Sequence, residues 1–536
     1  MTDPSVAQLL IDGLRRLEID TLFCLPGVQN DDFFDALVDA RDIRPIVARH
    51  EQGAAYMALG AAQATGRPAA FCVVPGPGML NAGAALTSAY WVGARVLAVI
   101  GQIASAQLGK GIGALHELPD QTAILDQLTA HATLVDDPSR AVDQIQAALD
   151  RLVSHDGRPV SIEVTADVWG AAADGSLTDP VRTIPELDTA AVDRLAELLA
   201  NSSQPLFYIG GGAQEAADAV RRLARKLGVP VTARRSGLGV VDSRDPLFVP
   251  LPVGQRLWGN ADLVVGIGTR MEWPLTSWGL DDDLTVAQIN IDPDELDRHG
   301  IGTVGILGDA GEVCRALLAA LPDDASHDRS QELDRLRADY ADEIAVLEPQ
   351  ISYLKVVHDC LPDDGIMVID VTQMAFANTL VPDIRSPRTV LEAGAAGTLG
   401  AAVAQGIGAQ AARPDTKVVT LVGDGGFLFT ATELATAVQH DIPTTVVLFN
   451  DGAYGNVKRI QQTRFGPDRT IASDLQNPDF VAFAESFGVQ AERVDSPETL
   501  GPALTAALAH DGPSLVEVTV DQMPSPWPWL RAPASR

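Results

Sequence analysis

Two apolar strands that each end in a polar turn constrain the fold of this 536-residue chain more than any other feature. Residues 417–426 read Lys-Val-Val-Thr-Leu-Val-Gly-Asp-Gly-Gly, and residues 444–455 read Thr-Thr-Val-Val-Leu-Phe-Asn-Asp-Gly-Ala-Tyr-Gly. Such β-branched runs are typical of parallel strands, and open parallel α/β sheets bind ligands at the carboxyl ends of their strands. The pattern therefore predicts that Asp424 and Asn450 lie at the binding edge of one sheet.

The side chains at this edge are hard oxygen donors, which suit a divalent cation. Magnesium prefers about six oxygen ligands, shared between one or two carboxylates, amide or carbonyl groups, water and a substrate phosphate. The Asp424 carboxylate, the Asn450 amide and the Gly452 carbonyl would supply part of that shell. The alternative is two turns of an ordinary α/β sheet, because Gly-Asp-Gly alone is a common turn sequence.

This pair of segments resembles the signature of the thiamine diphosphate-dependent 2-oxo acid decarboxylases and acetolactate synthases. That signature is Gly-Asp-Gly, a spacer of similar length and an Asn-Asn pair, and this chain matches it except that Phe449 replaces the first Asn. The second Asn is the ligand in that family. The resemblance therefore implies thiamine diphosphate and Mg²⁺ as cofactors, with Asp424, Asn450 and Gly452 as metal ligands.

A second part of the resemblance lies where residues 49–51, Arg-His-Glu, join a predicted strand to a predicted helix. In the family this Glu bonds the pyrimidine N1′ of the cofactor and activates it through a proton relay, so Glu51 is the implied activator. The alternative is an acidic first-turn residue that favours the helix dipole. The implied cofactor-binding residues are Glu51, Thr372, Gln373, Gly397, Leu399, Gly425, Gly426 and Tyr454.

The positions of the histidines indicate which residue could donate a proton after carbon dioxide is lost. Benzoylformate-type decarboxylases have a catalytic His directly before the turn that here reads Pro75-Gly-Pro-Gly78, and this chain has Val74 at that position. His116, followed by Glu117, stands where acetolactate synthases have Gln-Glu, and it is a candidate proton donor or carboxylate contact. A hydrogen-bonded loop His is the alternative. The candidate substrate residues are Val28, Gln29, Val74, Gln102 and His116.

Alternating strand and helix patterns predict an α/β fold with three doubly wound parallel-sheet domains. We expect a pyrimidine-binding domain at residues 1–175, a Rossmann-like middle domain at 187–325 and a diphosphate- and metal-binding domain at 350–536. Residues 322–339 are polar and are expected to form a linker with some helix. In the middle domain, residues 210–212 and Arg270 stand where acetolactate synthases contact flavin. The full Gly-x-Gly-x-x-Gly pattern is absent, so a domain without FAD is the favoured interpretation and bound FAD the alternative.

The formal charge of −32 argues against nucleic acid and anionic membranes as partners, because such surfaces are recognised by basic patches. No apolar run reaches the length of a membrane span, and the amino terminus lacks the basic start of a secretory signal. A cytoplasmic location is therefore expected.

The resemblance implies an enzyme that removes carbon dioxide from a small 2-oxo acid such as pyruvate. Without a His at position 74, a second carbonyl compound would capture the remaining fragment, so carboligation of the acetolactate synthase type is the favoured reaction. A simple decarboxylase or another lyase is one alternative, and a non-catalytic cofactor-binding paralogue is another. In the family Glu51 and Asp424 meet across a subunit interface, which implies a homodimer or homotetramer.

Overall fold

The computed structural model describes residues 3–323 and 325–536, which form three α/β units, each built on one parallel sheet. The predicted fold class is confirmed. Across these residues, no helix combines the length and apolarity that a bilayer crossing requires. The first and third sheets share one strand order, and the middle sheet has the same order with one strand fewer.

In the first unit the strands run in the spatial order β2-β1-β3-β4-β6-β5. The strands are β1 (Thr21–Cys24), β2 (Arg44–Val47), β3 (Ala69–Val73), β4 (Val96–Gln102), β5 (Ala132–Val135) and β6 (Val160–Thr165). The helices are α1 (Val6–Arg16), α2 (Asp31–Val38), α3 (Glu51–Thr65), α4 (Pro77–Val92), α5 (Gln121–Leu128) and α6 (Ala141–Leu152). The strand order reverses between β1 and β3, and that is where a ligand crevice opens in such sheets.

The middle unit has the order β11-β10-β9-β7-β8. Its strands are β7 (Pro205–Ile209), β8 (Val231–Ala233), β9 (Leu263–Ile267), β10 (Thr285–Asn290) and β11 (Val304–Leu307). Its helices are α7 (Thr189–Asn201), α8 (Ala217–Leu227), α9 (Leu251–Trp258), α10 (Glu272–Ser277) and α11 (Ala310–Ala320).

The expected linker at residues 322–339 is more helical than its polar composition indicates. Helix α12 (Ser330–Ile344) begins inside it and continues beyond it. Leu333, Tyr340 and Ile344 are buried on one face of this helix, where they pack with the middle unit. Three apolar residues at helical spacing are enough to dock a helix whose other faces are charged.

In the third unit the order is β13-β12-β14-β15-β17-β16, so the reversal falls between β12 and β14. The strands are β12 (Ile366–Ile369), β13 (Val390–Glu392), β14 (Val418–Gly423), β15 (Thr445–Asn450), β16 (Gln490–Val494) and β17 (Ser514–Thr519). The helices are α13 (Gln350–Cys360), α14 (Gln373–Leu380), α15 (Ala402–Ala412), α16 (Asp424–Thr430), α17 (Leu434–Gln439), α18 (Gly455–Phe465), α19 (Phe480–Glu485), α20 (Pro497–Ala509) and α21 (Trp527–Leu530).

The first and third units pack directly on each other through α3 and α15. Glycines make this close approach possible: a Cβ on Gly60 would overlap the Gln405 carbonyl, and one on Gly408 would overlap the Met57 carbonyl. One shared apolar core includes residues of both units. The start of α3, where Glu51 lies, is therefore held in place by the third unit of the same chain.

Candidate cofactor and metal site

The carboxyl ends of β12 and β14 bring together two of the predicted cofactor-binding segments. Thr372 caps α14, and its hydroxyl accepts the backbone N–H groups of Met374 and Ala375. Asp424 begins α16 directly after β14. These segments meet at the reversal of strand order, which is the ligand-binding edge of such a sheet.

The predicted metal ligands converge at this edge. Asn450 ends β15, and its Nδ2 donates to Glu517 Oε1 at 2.8 Å. Its Oδ1 accepts the backbone N–H of Gly452 at 3.2 Å, so the amide oxygen faces the Asp424 side of the turn. One nitrogen, Nδ2 of Asn477, lies 2.6 Å from Asp424 Oδ2 and 3.1 Å from Asn450 Oδ1. The two ligand oxygens therefore share one hydrogen-bond donor.

Burial and mutual repulsion shape the charge at this edge. Burial raises the pKa of the Asp424 carboxyl, and the hydrogen bond from Asn477 partly offsets that rise. Burial, followed by the nearby charge of Asp424, raises the pKa of Asp451 to about 6. A divalent cation would relieve the burial of both carboxyl groups and the repulsion that Asp424 exerts on Asp451.

The donor set fits Mg²⁺ or another hard divalent cation. Within residues 3–323 and 325–536, no group of three or more His, Cys, Asp or Glu side chains is arranged to hold a metal. A cation at this edge would therefore depend on a mixed set of carboxylate, amide and carbonyl oxygens, which is the kind of partial shell that Mg²⁺ completes with phosphate and water.

Phe449, which replaces the first Asn of the family signature, does not disturb the predicted metal ligands. Phe449 is buried and packs edge-to-face on Tyr353, with ring centroids 5.5 Å apart. Successive side chains of a strand point to opposite faces, so Phe449 points away from the face that carries Asn450.

The surroundings of the turn also fit a cofactor with polar and apolar parts. Gln373 is the first residue of α14, and neither its amide nitrogen nor its amide oxygen has a hydrogen-bond partner among the described residues, although both are buried. Buried polar groups normally make hydrogen bonds, so the unpaired amide of Gln373 indicates that a polar ligand binds beside it. Leu399 Cδ1 lies 3.2 Å from the Cβ position of Gly426.

Glycine conformation shapes the remaining part of the third-unit site. Gly397 has φ 62°, a left-handed conformation that favours glycine, and a Cβ there would have only the Ala395 carbonyl oxygen within 4 Å. The ring of Tyr454 lies against Gly425, where a Cβ would be 2.6 Å from the ring. Of the predicted positions, Leu399, Gly425, Gly426 and Tyr454 thus lie around the same turn, and the backbone at Gly397 is open on its Cβ side.

The first unit carries Glu51 at the start of α3. Asn81 Nδ2 donates to Glu51 Oε2 at 2.9 Å, which orients the carboxylate from α4. The preceding backbone is fixed by Glu433, whose carboxylate accepts the N–H groups of Arg49 and His50 at about 3 Å. Burial raises the pKa of Glu433. The predicted activator is therefore oriented by its own unit and anchored by the third.

The candidate substrate residues form a second group at the first-unit crevice. His116 Nδ1 lies 3.1 Å from Gln29 Oε1, and Gln29 Nε2 donates to the Leu115 carbonyl. Val74 is buried and fills the space between Gly27 and Gly78. Val28 is 63% exposed at the same edge. The structure thus brings His116 and Gln29 together and leaves Val28 accessible.

Gln102 lies apart from these residues, inside the first unit. It is buried, its Nε2 donates to Glu163 Oε2, and its Oε1 accepts the backbone N–H of Ile103. Gln121 also donates to Glu163 and accepts the N–H of Gly76, which ties this buried cluster to the turn before α4. With both polar atoms engaged, Gln102 is placed to support the turn rather than to face a ligand.

Three residues of the third-unit site are not recognised from the sequence. Asp370, at the end of β12, accepts the N–H of Gly400, and burial raises its pKa to about 6. Glu517 is a buried acid in the apolar strand β17, and that unusual placement is its only sequence signal. Asn477 lies in an Asn-Pro-Asp-Phe segment that indicates only a helix start.

A crevice of about 360 Å³ lies at the ends of β7, β9 and β10, near residues 210–212, and residues of the first and third units also line it. Four of its seven arginines are paired with acids. Arg158 and Arg270 both contact Glu295 at 3.3 Å, and Arg235 lies 3.7 Å from Glu392. This volume is at the lower end of the range for ligand pockets. Arg95, Arg182 and Arg234 also line the crevice, and none of them makes an ion pair with a described residue. The preference for a middle domain without FAD stays a prediction.

Glu51 and the predicted metal ligands do not contact each other within one chain. Among the described residues, Glu51 makes no hydrogen bond or ion pair with Asp424, Asn450 or Gly452.

Family models match the chain in three stretches. They are described as the N-terminal TPP binding domain (residues 4–124), the central domain (192–317) and the C-terminal TPP binding domain (370–518) of thiamine pyrophosphate enzymes. The order and positions of these matches follow the three sheets. The fold and the matches define a thiamine pyrophosphate-dependent enzyme.

Full-length relatives support the same assignment. The Pseudomonas aeruginosa protein named "Probable 2-ketoarginine decarboxylase AruI" is 33% identical over 539 residues, covering 96% of this chain and 94% of that protein. The acetolactate synthase isozyme 2 large subunit of Escherichia coli is 28% identical, covering 99% and 98%. The acetolactate synthase of Bacillus subtilis is 28% identical, covering 96% and 93%. The chain belongs to the thiamine pyrophosphate enzyme family that includes 2-oxo acid decarboxylases and acetolactate synthases.

Proposed function

We propose that this chain is a Mg²⁺- and thiamine diphosphate-dependent decarboxylase of a 2-oxo acid. The observation that carries the proposal is the convergence of Asp424 and Asn450, with Asn450 turned so that its oxygen faces the carboxylate. Mg²⁺ bound there would hold the diphosphate, and Thr372 and the amide of Gln373 lie at the same edge to contact it.

Thiamine diphosphate, when bound, would supply a carbon nucleophile and an electron sink for the loss of carbon dioxide. The chain would position it. Leu399 would support the region between the two rings, and the backbone at Gly397 would approach the pyrimidine closely. Glu51 would exchange a proton at the pyrimidine nitrogen, held in place for this by Asn81.

His116 favours release of an aldehyde after carbon dioxide is lost. Gln29 uses its Nε2 for the Leu115 carbonyl, so its Oε1 faces His116 and accepts a hydrogen from Nδ1. That tautomer leaves Nε2 of His116 free to take up a proton and deliver it. We therefore place simple decarboxylation first, in agreement with the name of the 33% identical relative.

Carboligation, which the sequence favours, is the second candidate. Val74 is buried and apolar, so it provides no proton donor beside the turn that precedes α4. The acetolactate synthase relatives align over nearly the whole chain. If His116 does not reach the reacting carbon, a second carbonyl compound would react there instead.

A second copy of the chain would bring Glu51 to Asp424. Helix α18 follows the metal turn and has no buried residue, yet it carries Val457, Ile460 and Phe465. Phe429, after Gly426, is 51% exposed. Apolar side chains exposed this close to a predicted site indicate an interface, so a homodimer or larger homo-oligomer forms part of the proposal.

The test is a product analysis. The protein with thiamine diphosphate and Mg²⁺ is incubated with a panel of 2-oxo acids that includes pyruvate and 2-ketoarginine, and carbon dioxide, aldehyde and ligation products are measured. We expect carbon dioxide and an aldehyde in equal amounts from at least one acid, and less aldehyde per carbon dioxide from His116→Asn. Ligation products in excess would favour the second candidate. No carbon dioxide from any acid would overturn the proposal and favour a non-catalytic paralogue.

A further inference from the structure

One short segment contacts all three predicted metal ligands. The backbone of residues 473–475 pairs with the metal turn: Tyr454 N–H donates to Ser473 O, and Leu475 N–H donates to the Gly452 carbonyl at 2.8 Å. Two residues later, Asn477 reaches Asp424 and Asn450. The 473–477 segment is therefore built onto the metal turn and does not merely pass near it.

The amide of Asn477 lies between the two ligand side chains. Its Nδ2 is 2.6 Å from Asp424 Oδ2 and 3.1 Å from Asn450 Oδ1, while its Oδ1 makes no hydrogen bond with a described residue. The orientation of Asn450 is fixed by Glu517 and by Gly452 N–H, so Asn450 cannot turn without losing both bonds. Asn477 has no such restraint on its oxygen.

We propose that Asn477 is a further metal ligand, beyond the three that the sequence motif provides. This inference rests on the proposed function, because it concerns the same cation. Without the cation, the amide nitrogen of Asn477 satisfies two acceptors that would otherwise repel each other. With the cation bound, a half-turn about the last side-chain torsion exchanges nitrogen for oxygen, and Oδ1 faces the cation.

Rotating the side-chain amide of Asn477 by a half-turn costs little free energy. The terminal torsion of Asn is broad and roughly two-fold, and its two ends have nearly the same shape. A cation between Asp424 and Asn450 would repel the N–H₂ end and attract the carbonyl end. The positive charge of the cation therefore favours the orientation in which Oδ1 faces it. Oδ1 would then be one of the six oxygen ligands that Mg²⁺ prefers.

The experiment measures Mn²⁺, as a paramagnetic substitute for Mg²⁺, on the full chain with saturating thiamine diphosphate. Electron paramagnetic resonance measures the concentration of free Mn²⁺. Water-proton relaxation gives the number of water molecules coordinated to the bound ion. We expect Asn477→Ala to weaken Mn²⁺ binding about 10- to 100-fold, the range typical of residues that support a metal site, and to add one bound water. Unchanged affinity and water count would overturn the inference.

Two further variants distinguish metal coordination by Asn477 from a purely structural role of residues 473–477. Asn477→Asp keeps an oxygen donor in both orientations, so we expect Mn²⁺ affinity at or above that of the wild type and no added water. Asp474→Asn alters the same segment at its exposed ion pair with Lys458 and should leave both quantities unchanged. A loss of affinity in Asp474→Asn equal to that in Asn477→Ala would show a structural role and would also overturn the inference.

Asp424→Asn distinguishes a failure of the Asn477 inference from a failure of the proposed function. If the wild type and Asp424→Asn bind Mn²⁺ equally weakly, the metal site itself is wrong. If the wild type binds tightly and Asp424→Asn does not, the site stands and the Asn477 variants alone decide the inference.

Discussion

The carboxylate of Glu517 accepts a hydrogen bond from Asn450 Nδ2 at 2.8 Å, and this bond decides which end of the Asn450 amide faces Asp424. Glu517 is buried and also accepts Arg493 Nε at 2.8 Å. The orientation of a predicted metal ligand thus depends on an acid 67 positions away in the chain, on the neighbouring strand.

Glu517→Gln should turn the Asn450 amide. A Gln side chain has one acceptor oxygen for two donors, and the charged Arg493 takes it because charge-assisted hydrogen bonds are stronger. Asn450 would then direct Nδ2 toward the cation. We expect Mg²⁺ affinity, measured by titration of activity and of Mn²⁺ binding, to fall about 10- to 100-fold. Arg493→Gln leaves the bond between Glu517 and Asn450 in place and serves as the control, with a smaller loss expected.

Glu51→Gln should separate catalysis from binding. The amide can still accept the hydrogen bond from Asn81, but it cannot exchange a proton with the cofactor. We expect turnover to fall about 100- to 10,000-fold, the range typical of a lost proton-transfer group, with thiamine diphosphate and Mn²⁺ affinities preserved. Glu485→Gln, at an exposed carboxylate, is the control. Wild-type turnover in Glu51→Gln would remove this residue from the mechanism.

Gly60→Ala should loosen the contact between the first and third units. Its Cβ would overlap the Gln405 carbonyl, and a backbone atom cannot move aside as a side chain can. We expect the free energy of unfolding to fall by about 1–3 kcal/mol. Gly83→Ala is the matched control, because its Cβ would lie 3.6 Å from Leu128 Cδ1. That variant should gain about 0.5–1 kcal/mol from removal of a helical glycine. Urea unfolding measures both.

Local patterns predict the fold of this chain well, because each unit repeats an apolar strand followed by a helix. The helix predicted to follow the strand at residues 49–51 is observed, with α3 beginning at Glu51. Helix α12 is less obvious, since seven of its 15 residues are charged and it docks through three buried apolar side chains, with Leu336 partly buried beside them.

Motif residues of the site are visible in the sequence, whereas residues that orient them are not. Asp424 directly follows one apolar strand and Asn450 ends the next, so their position at the sheet edge can be predicted. Asn477 and Glu517 reach the same place through the packing of distant segments. Whether Gln102 faces a ligand or a buried acid also depends on tertiary contacts, which no local pattern encodes.

Asp370 offers a test of the third-unit site that does not depend on metal or cofactor. It is buried at the end of β12 and accepts the N–H groups of Val371 and Gly400. Burial raises its pKa to about 6, whereas an unfolded Asp titrates near 3.9.

Asp370→Asn should therefore change how stability depends on pH. The native state holds the proton of Asp370 more tightly than the unfolded state, so this residue's contribution is complete below about pH 4 and is lost as pH rises through about 6. From pH 5 to 7.5 the wild type should lose about 1 kcal/mol of unfolding free energy relative to the variant. Urea unfolding across this range measures the difference, and parallel curves would show that the Asp370 carboxyl does not titrate near pH 6.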